Sequence, residues 1–171
     1  KYLDRLKKFF HSPKINILLQ IPDVIFSILL IDEKDNFEYF CHKYKVSNKL
    51  KKNLSFISKN YKEYKNDKNY LKRDLKKNIY KLGKINIKKL IVFIYSVEKE
   101  FSLNMLNKII DDIDKMKIPN FPFDGKYIIN QGLEDGKKIG SALRELEEEW
   151  IKNNFNLKAQ EVTSIVNKVK N

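Results

Sequence analysis

Residues 87–97 read IKKLIVFIYSV, and this stretch decides the fold because it is apolar on most faces. A helix of that kind lies inside a helical domain, so we expect this segment to form the centre of the core. In most other segments the apolar residues also recur at helical spacing. Five glycines and four prolines are too few for the turns of a sandwich or barrel. The sequence therefore predicts an all-α fold of eight to ten helices with no sheet.

Helices are also predicted on both sides of this central segment. Before it, two short helices are predicted at residues 3–10 and 15–21, followed by a buried helix that begins at Pro22. A long helix is predicted from Ser47 through Tyr64, and another over residues 70–82 that ends at Gly83. After it, Ser102 and Asp124 are predicted to cap two helices, and two amphipathic helices follow at about 137–153 and 157–169. Leu146 and Trp150 lie four residues apart, so we expect both to pack inward.

A proline-rich connector divides the predicted helices into two groups. Residues 117–124 read KIPNFPFD, in which Pro119 and Pro122 prevent continuation of a helix. We therefore predict two domains. Residues 1–117 form an irregular multi-helix body, and residues 118–171 form a smaller C-terminal helical tail.

Composition excludes several classes of protein. A chain of 171 residues can bury a proper core, and 42% hydrophobic with 33% charged residues is typical of neither a disordered tail nor a membrane protein. The longest apolar stretch, residues 24–31, is far shorter than the roughly 20 residues that span a bilayer. A single cysteine, Cys41, excludes an internal disulfide and favours a reducing, cytoplasmic location. Because the chain opens on Lys1 and its methionines are Met105 and Met116, we expect a segment upstream.

Positive charge is concentrated in one part of the chain. The net charge is +13, and residues 43–89 hold 17 Lys and Arg against three acids, whereas residues 111–171 hold 10 against 11. Aromatic residues are interleaved with these lysines. They are Tyr44, Phe56, Tyr61, Tyr64, Tyr70 and Tyr80. Such a basic stretch favours a polyphosphate partner, since each neutralised phosphate releases counterions. The alternative is a genome rich in A and T, which would place Lys and Asn on any exposed helix.

No catalytic or metal-binding residue is predicted. Cys41 and His42 are neighbours on a predicted helix and project about 100° apart, so they do not form a nucleophile–base pair. Neither they nor His11 has the spacing of a zinc site. Asp112 and Asp114 spell D-x-D, but two-metal enzymes use that spacing on a strand, and here the pattern predicts the solvent face of a helix.

The sequence Gly132-Leu-Glu-Asp-Gly136-Lys137-Lys138 is similar to a phosphate-binding loop without matching one. It is one residue too short between the glycines, lacks the Ser or Thr after Lys and follows no strand. It nevertheless places Gly136, Lys137 and Lys138 at a helix N-terminus, where free N–H groups attract a phosphate. A tight turn between helices is the alternative interpretation.

The last third of the chain carries a more specific pattern. From Ile118 to Phe155 the sequence is IPNFPFDGKYIINQGLEDGKKIGSALRELEEEWIKNNF, which resembles the C-terminal part of bacterial class II CCA-adding tRNA nucleotidyltransferases. Bacterial poly(A) polymerases of the same architecture belong to that family. The matching positions are Phe121, Pro122, Gly125, Ile128, Gly132, Gly136, Gly140, Leu143, Leu146 and Trp150. Upstream, residues 3–19 resemble the passage from neck to body, and residues 46–54 and 70–82 resemble two body helices.

This resemblance implies a tRNA-binding body and tail that position the acceptor arm and elbow for nucleotide addition at the 3′ end. The family's catalytic head, with its G-S-x-x-D-x-D motif, and the neck's E-D-x-x-R pattern are not found in the sequence. Mg²⁺, CTP and ATP are therefore expected only in a separate or upstream head, and we expect no cofactor and no membrane contact for this chain. Two alternatives stay open: the RNA-binding region of a bacterial poly(A) polymerase, and a generic lysine-rich helical interaction domain.

Phosphate contact is the role predicted for two groups of residues. Around the glycine turn they are Lys126, Gly136, Lys137, Lys138 and Arg144. On the body helices they are Lys51, Lys52, Lys72, Arg73, Lys76 and Lys77.

Overall fold

The computed structural model describes residues 2–9, 21–32, 34, 36–134 and 136–170. Within these ranges there are eleven helices and no strand, which confirms the all-α class. The number exceeds the predicted eight to ten. Most of the predicted helix at residues 15–21 lies outside the described part of the chain.

The helices belong to two compact units, Lys1–Met116 and Lys117–Asn171. The first contains α1 (Leu3–Lys7), α2 (Pro22–Leu30), α3 (Asn36–Lys43), α4 (Asn48–Asn66), α5 (Tyr70–Arg73), α6 (Leu75–Leu82), α7 (Lys84–Val97) and α8 (Leu103–Lys115). The second contains α9 (Gly125–Asn130), α10 (Gly136–Lys152) and α11 (Ala159–Lys170). The identification of these units as the body and tail of the family stays a prediction.

Helix α7 forms the centre of the first unit, as its sequence predicts. Ile87 and every residue from Lys89 to Ser96 are buried. The helix packs against α1, α2, α4, α6 and α8. Its apolar side chains thus face neighbours on several sides, and this explains why the segment lacks the one-sided pattern of a surface helix.

Local sequence signals begin and end the helices around α7. The Ser47 hydroxyl accepts a hydrogen bond from the Leu50 N–H at 3.3 Å, and the Ser102 hydroxyl accepts one from the Met105 N–H at 3.2 Å. Gly83 ends α6 with φ +83°, a conformation that side chains disfavour. The predicted caps and stop are therefore confirmed.

The prediction of one helix over residues 70–82 is wrong, because the chain breaks at Asp74 into α5 and α6. Asp74 leaves the helical conformation at φ −125° and ψ 31°. Its carbonyl accepts the Asn78 N–H at 2.8 Å, while its carboxylate lies 3.5 Å from the Arg73 guanidinium. Asp is weak in helix interiors and favours such helix starts, so it divides a segment whose apolar spacing is continuous.

Helix α1 ends at Lys7 instead of residue 10, and residues 8 and 9 form a turn. The Arg5 guanidinium donates to the carbonyls of Ile28 and Ile31 at 3.0 and 2.9 Å. The Lys8 ammonium donates to two carbonyls at the end of α7, at 3.1 and 3.2 Å. Both cations therefore satisfy carbonyls left open at helix C-termini, and they attach α1 to the first unit.

The second unit has its own core. Its buried residues are Ile128, Leu133, Ala142, Leu146, Val162 and Val166. Trp150 is also buried and meets Phe121 and Phe155 edge to face, with ring centroids 5.4 and 4.9 Å apart. The inward packing predicted for Leu146 and Trp150 is confirmed. The extended segment before α9 ends at Asp124, whose carboxylate accepts the Tyr127 N–H at 2.8 Å, as predicted.

Candidate nucleic-acid interface

The outer face of α4 carries a row of lysines in the first unit. Leu54, Ile57 and Tyr64 are buried on the inner face of the helix. The outer row, which we call the α4 lysine face, consists of Lys51, Lys52, Lys59 and Lys62, all exposed. It extends over about 16 Å at a rise of about 1.5 Å per residue. Lys51 and Lys52 are predicted from the sequence, whereas Lys59 and Lys62 are not, although their helical spacing indicates them.

The predicted phosphate-contact residues on α5 and α6 include two that form ion pairs with nearby carboxylates. Arg73 lies 2.9 Å from the carboxylate of Asp67 at the end of α4, and Lys77 lies 3.5 Å from that of Asp74. Lys72 and Lys76 are exposed. The end of α4 is about 24 Å along the helix from Lys51. The structure thus separates Arg73 from Lys51 and Lys52, and the six predicted residues of this unit do not form one cluster.

Several lysines of the basic stretch are neutralised within the unit. Lys68, Lys88 and Lys89 each form an ion pair with an acid that lies outside residues 43–89. The partners are Glu98, Asp114 and Asp23, respectively. The count of charges along the sequence therefore overstates the positive charge that this region presents to a partner.

Lys89 is a structural residue. Its ammonium lies 2.9 Å from the Asp23 carboxylate, and the two side chains are only 10% and 15% exposed. The Asn53 amide donates a second hydrogen bond to the same carboxylate. Because both charges are largely removed from water, each depends on the other, and Lys89 is not accessible to a phosphate.

Glu98 is another acid of the first unit that pairs with a lysine of the basic stretch. Its carboxylate accepts hydrogen bonds from the Tyr61 hydroxyl and the Lys68 ammonium, both at 2.8 Å. Burial tends to raise the pKa of Glu98, but these two hydrogen bonds and the lysine charges outweigh it and leave the pKa below its usual value. The same hydrogen bond raises the pKa of Lys68.

The glycine turn of the second unit lies between α9 and α10. Gly132 has φ +84°, and its N–H donates to the Ile129 carbonyl at 2.8 Å to close the end of α9. A Cβ at this position would lie 3.2 Å from the Lys170 ammonium. The Lys138 ammonium donates to the Lys170 carbonyl at 2.6 Å. The Lys170 side chain, which was not predicted, thus lies beside Gly132, and the Lys138 side chain binds the Lys170 backbone.

The first half of α10 presents an open surface. Gly136 is its first residue, and Lys137, Lys138 and Arg144 are exposed. Lys137 and Arg144 are two turns apart, so they share a face, and Gly140 lies between them along the helix. A Cβ at Gly136 or Gly140 would meet nothing within 4 Å. Packing within the unit therefore gives no reason for glycine at either position.

Lys126, the remaining predicted contact, is exposed on α9. Elsewhere in the described ranges, no group of three or more His, Cys, Asp and Glu side chains is placed to hold a metal ion. In the same residues no helix has the length and apolarity that crossing a bilayer requires. Cys41 is buried, and burial raises the pKa of its thiol, whereas His42 is exposed.

Comparison with known proteins relates part of this chain to one class, the CCA-adding tRNA nucleotidyltransferases. A segment of 58 residues is 34% identical to mitochondrial CCA tRNA nucleotidyltransferase 1 of Danio rerio. The proteins of the same name from Homo sapiens and Mus musculus are 32% and 30% identical over 60 residues. The matches cover 34–35% of this chain and 14% of each relative. This local similarity supports a relation to the CCA-adding family.

No protein-family model matches the chain, and no solved structure matches it.

Proposed function

We propose that this chain is the tRNA-binding C-terminal region of a CCA-adding tRNA nucleotidyltransferase of the bacterial class II type. In this role it positions the acceptor arm and elbow of tRNA while a head domain outside these 171 residues adds nucleotides to the 3′ end. The observation that carries the proposal is the local similarity to three CCA-adding enzymes, in a helical chain with an exposed lysine face.

Backbone contact is the binding mode that the exposed side chains support. Double-helical RNA is recognised mainly through its shape and its phosphates, because its deep major groove is closed to side chains. The α4 lysine face offers four cations in a row, and the start of α10 offers Lys137 and Arg144 beside glycines. Such a surface binds phosphates without reading bases.

Catalysis is assigned to the head in this proposal. The two metal ions, CTP and ATP belong to that head, and the whole assembly works in the cytoplasm. This chain alone, incubated with tRNA lacking its 3′ end, CTP, ATP and Mg²⁺, is expected to give no extension on a sequencing gel. Extension by the chain alone would contradict this division of roles.

The first test compares tRNA with an unrelated RNA hairpin of equal length across a salt series. We expect tighter binding of tRNA that persists at physiological salt, measured by fluorescence anisotropy. Equal affinities that fall together as salt rises would mean that the charge is generic and that the chain does not recognise tRNA. Equal and persistent binding of varied RNA 3′ ends would instead favour the poly(A) polymerase alternative.

The second test removes the α4 lysine face. Replacing Lys51, Lys52, Lys59 and Lys62 by Gln should reduce the slope of log affinity against log salt by about 3 to 4, one for each lost phosphate contact. A matched control replaces four exposed lysines elsewhere in the first unit, namely Lys34, Lys99, Lys108 and Lys115. The two variants have the same net charge. Equal losses in both would contradict a specific role for α4.

The glycine turn is tested separately by reversing the charge of Lys137 and Lys138 to Glu. We expect tRNA affinity to fall. Because the Lys138 ammonium also donates to the Lys170 carbonyl, the melting temperature is measured beside the affinity to separate loss of binding from loss of fold. Unchanged affinity would remove the turn from the proposed interface and leave the α4 lysine face as the contact surface.

A further inference from the structure

Three aromatic rings form a ladder that ends at the surface of the first unit. The rings of Phe26 and Phe40 have centroids 5.7 Å apart, and those of Phe40 and Tyr44 have centroids 4.9 Å apart. Phe26 and Phe40 are partly buried, whereas Tyr44 is 61% exposed. The ladder therefore ends in a ring that is supported from the inside and largely accessible to solvent.

A second exposed ring lies next to this ladder. Tyr39 is 65% exposed on α3. The Lys43 ammonium lies 5.7 Å from the centroid of the Tyr39 ring and 5.6 Å from that of Tyr44. One cation thus lies between two exposed aromatic rings, at a distance where it is attracted to both. The rings are no farther apart than the sum of these two distances.

The backbone fixes the position of these side chains. The buried residues Phe37 and Cys41 hold α3 in the core, and Tyr39 lies on the other side of the helix. The Tyr44 N–H donates to the Phe40 carbonyl at 3.0 Å, and the chain then turns at Lys45, which has φ +47°. Tyr39 consequently stands on a helix anchored in the core, and Tyr44 stands at the hydrogen-bonded end of that helix.

We propose that Tyr39 and Tyr44 form a stacking platform for unpaired nucleobases of RNA, with Lys43 contacting the phosphate between them. Exposed aromatic rings beside cations are the usual means by which proteins bind single-stranded nucleic acid. The inference rests on the proposed RNA-binding function and adds to it a site for unpaired nucleotides, distinct from the phosphate contacts of the α4 lysine face.

Charge favours RNA over a protein as the occupant of this surface. The platform lies where the basic stretch of residues 43–89 begins, and Lys43, Lys45 and Lys49 are all exposed. The described acid on α3, Glu38, precedes Tyr39 by one residue and so projects from a different side of the helix. The surface around the two rings therefore complements phosphates.

The test measures two RNA probes, an unstructured single strand and a duplex of the same sequence, by fluorescence anisotropy. We expect Tyr39→Leu and Tyr44→Leu each to weaken single-strand binding about tenfold, because stacking on one ring is lost. Duplex binding should stay within about twofold, since it uses phosphates alone. Tyr44→Phe should retain parent affinity, because it keeps the ring. Ile129→Ala, which trims an exposed apolar residue of the second unit, is the control.

A direct measurement complements the affinities. Single-stranded RNA carrying iodouridine should crosslink on irradiation to the peptide that contains Tyr39 and Tyr44, as identified by mass spectrometry. Melting temperatures of the Leu and Phe variants separate loss of stacking from loss of fold. A crosslink at other peptides only, or equal losses for single strand and duplex, would overturn the platform.

The outcomes also distinguish the platform from the proposed function. Selective tRNA binding that is insensitive to both tyrosines would leave the function intact and remove the platform. Tyrosine-dependent single-strand binding without preference for tRNA over the hairpin would support the platform and contradict the function. Parent affinities in every variant, together with self-association that Tyr44→Leu abolishes, would identify the surface as a protein contact and overturn the platform.

Discussion

The two units of this chain present positive charge in opposite ways. In the first, lysines are abundant, but several are paired internally, as the contacts of Lys68 with Glu98 and Lys89 with Asp23 illustrate. In the second, Lys117–Asn171, nine bases nearly balance eight acids, yet Lys137 and Arg144 are exposed beside glycines that no contact requires. A region's net charge is therefore a weaker guide to a binding surface than the partners of each charge.

The difference separates structural from functional residues. A lysine with a buried carboxylate partner contributes to folding, and its loss destabilises the unit. An exposed lysine without such a partner contributes little to folding and is available to a phosphate. The glycines differ in the same way, since Gly132 has a conformational reason to be glycine and Gly140 has none.

The largest expected effect comes from truncating a buried leucine in the core of one unit, which should destabilise that unit and leave the other unchanged. Leu90→Ala removes a fully buried side chain from the centre of α7 and should lower the free energy of unfolding of the first unit by about 3 to 4 kcal/mol. Hydrogen exchange should rise in α4 and α7 and stay unchanged in α10. The matched variant Leu146→Ala should have the reverse pattern. Equal exchange increases in both units from either substitution would mean that they unfold as one.

A slightly smaller effect distinguishes the two kinds of lysine. Lys89→Met leaves the buried Asp23 carboxylate without its cation and should lower the free energy of unfolding by about 3 kcal/mol in urea titrations. Lys59→Met, on the exposed face of α4, should change it by less than about 0.5 kcal/mol. For tRNA affinity we expect the opposite order, with a loss for Lys59→Met alone. Similar stability losses in both variants would contradict the distinction.

Much of the fold could be predicted because its signals are local. The helix caps at Ser47 and Ser102 and the stop at Gly83 depend on a few neighbouring residues, and the apolar character of residues 87–97 alone places them in the core. The break at Asp74 was not predicted, because the apolar spacing continues through it. The end of α5 and the start of α6 depend on hydrogen bonds and ion pairs, which the spacing of apolar residues does not encode.

The candidate site could be predicted only in part. Lys51 and Lys52 were predicted from the sequence. Lys59 and Lys62 were not predicted, although spacing along the same helix could have indicated them. The pairing of Lys89 with Asp23 joins residues on different helices and depends on how α2 packs against α7. The open space around Gly140 is likewise a property of tertiary structure. Which predicted residues contact RNA stays a prediction.

Alanine substitutions at two glycines of the second unit should change the free energy of unfolding by smaller amounts and in opposite directions. Gly140→Ala lies inside α10 in open space and should raise the free energy of unfolding by about 0.5 to 1 kcal/mol, since alanine is the better helix former. Gly132→Ala should lower it by about 1 kcal/mol or more, because φ is +84° and the new Cβ would approach the Lys170 ammonium. Thermal unfolding measures both.

Binding adds a second measurement to Gly140→Ala. If RNA backbone approaches this face of α10 closely, the added methyl group weakens tRNA binding severalfold while it stabilises the fold. A variant that is more stable and binds tRNA as tightly as the parent chain would show that Gly140 is no contact and would limit the proposed interface to the lysines and Arg144.

The smallest expected effect concerns the pH dependence of the first unit. Because the folded-state pKa of Glu98 lies below its ordinary value of about 4.3, its contribution to stability is fully present above that value. The contribution disappears as the pH falls through the lower folded-state pKa. The raised pKa of Lys68 acts at the other extreme, where stability is lost as the pH rises above about 10.4 through the folded-state value.

We expect Glu98→Gln to remove this acid-dependent part of the stability, which is at most about 1 kcal/mol because the Lys68 partner is largely exposed. Urea titrations at a series of acidic pH values measure it, and Glu100→Gln, an exposed neighbour, should keep the parent profile. The Glu98 carboxylate pairs with the Lys68 ammonium, which a phosphate could otherwise bind. Glu98→Gln should therefore bind RNA slightly more tightly at neutral pH. An unchanged acid profile in Glu98→Gln would mean that folding does not lower the pKa of Glu98 and would contradict its pairing with Lys68, which would then count with the available lysines of the first unit.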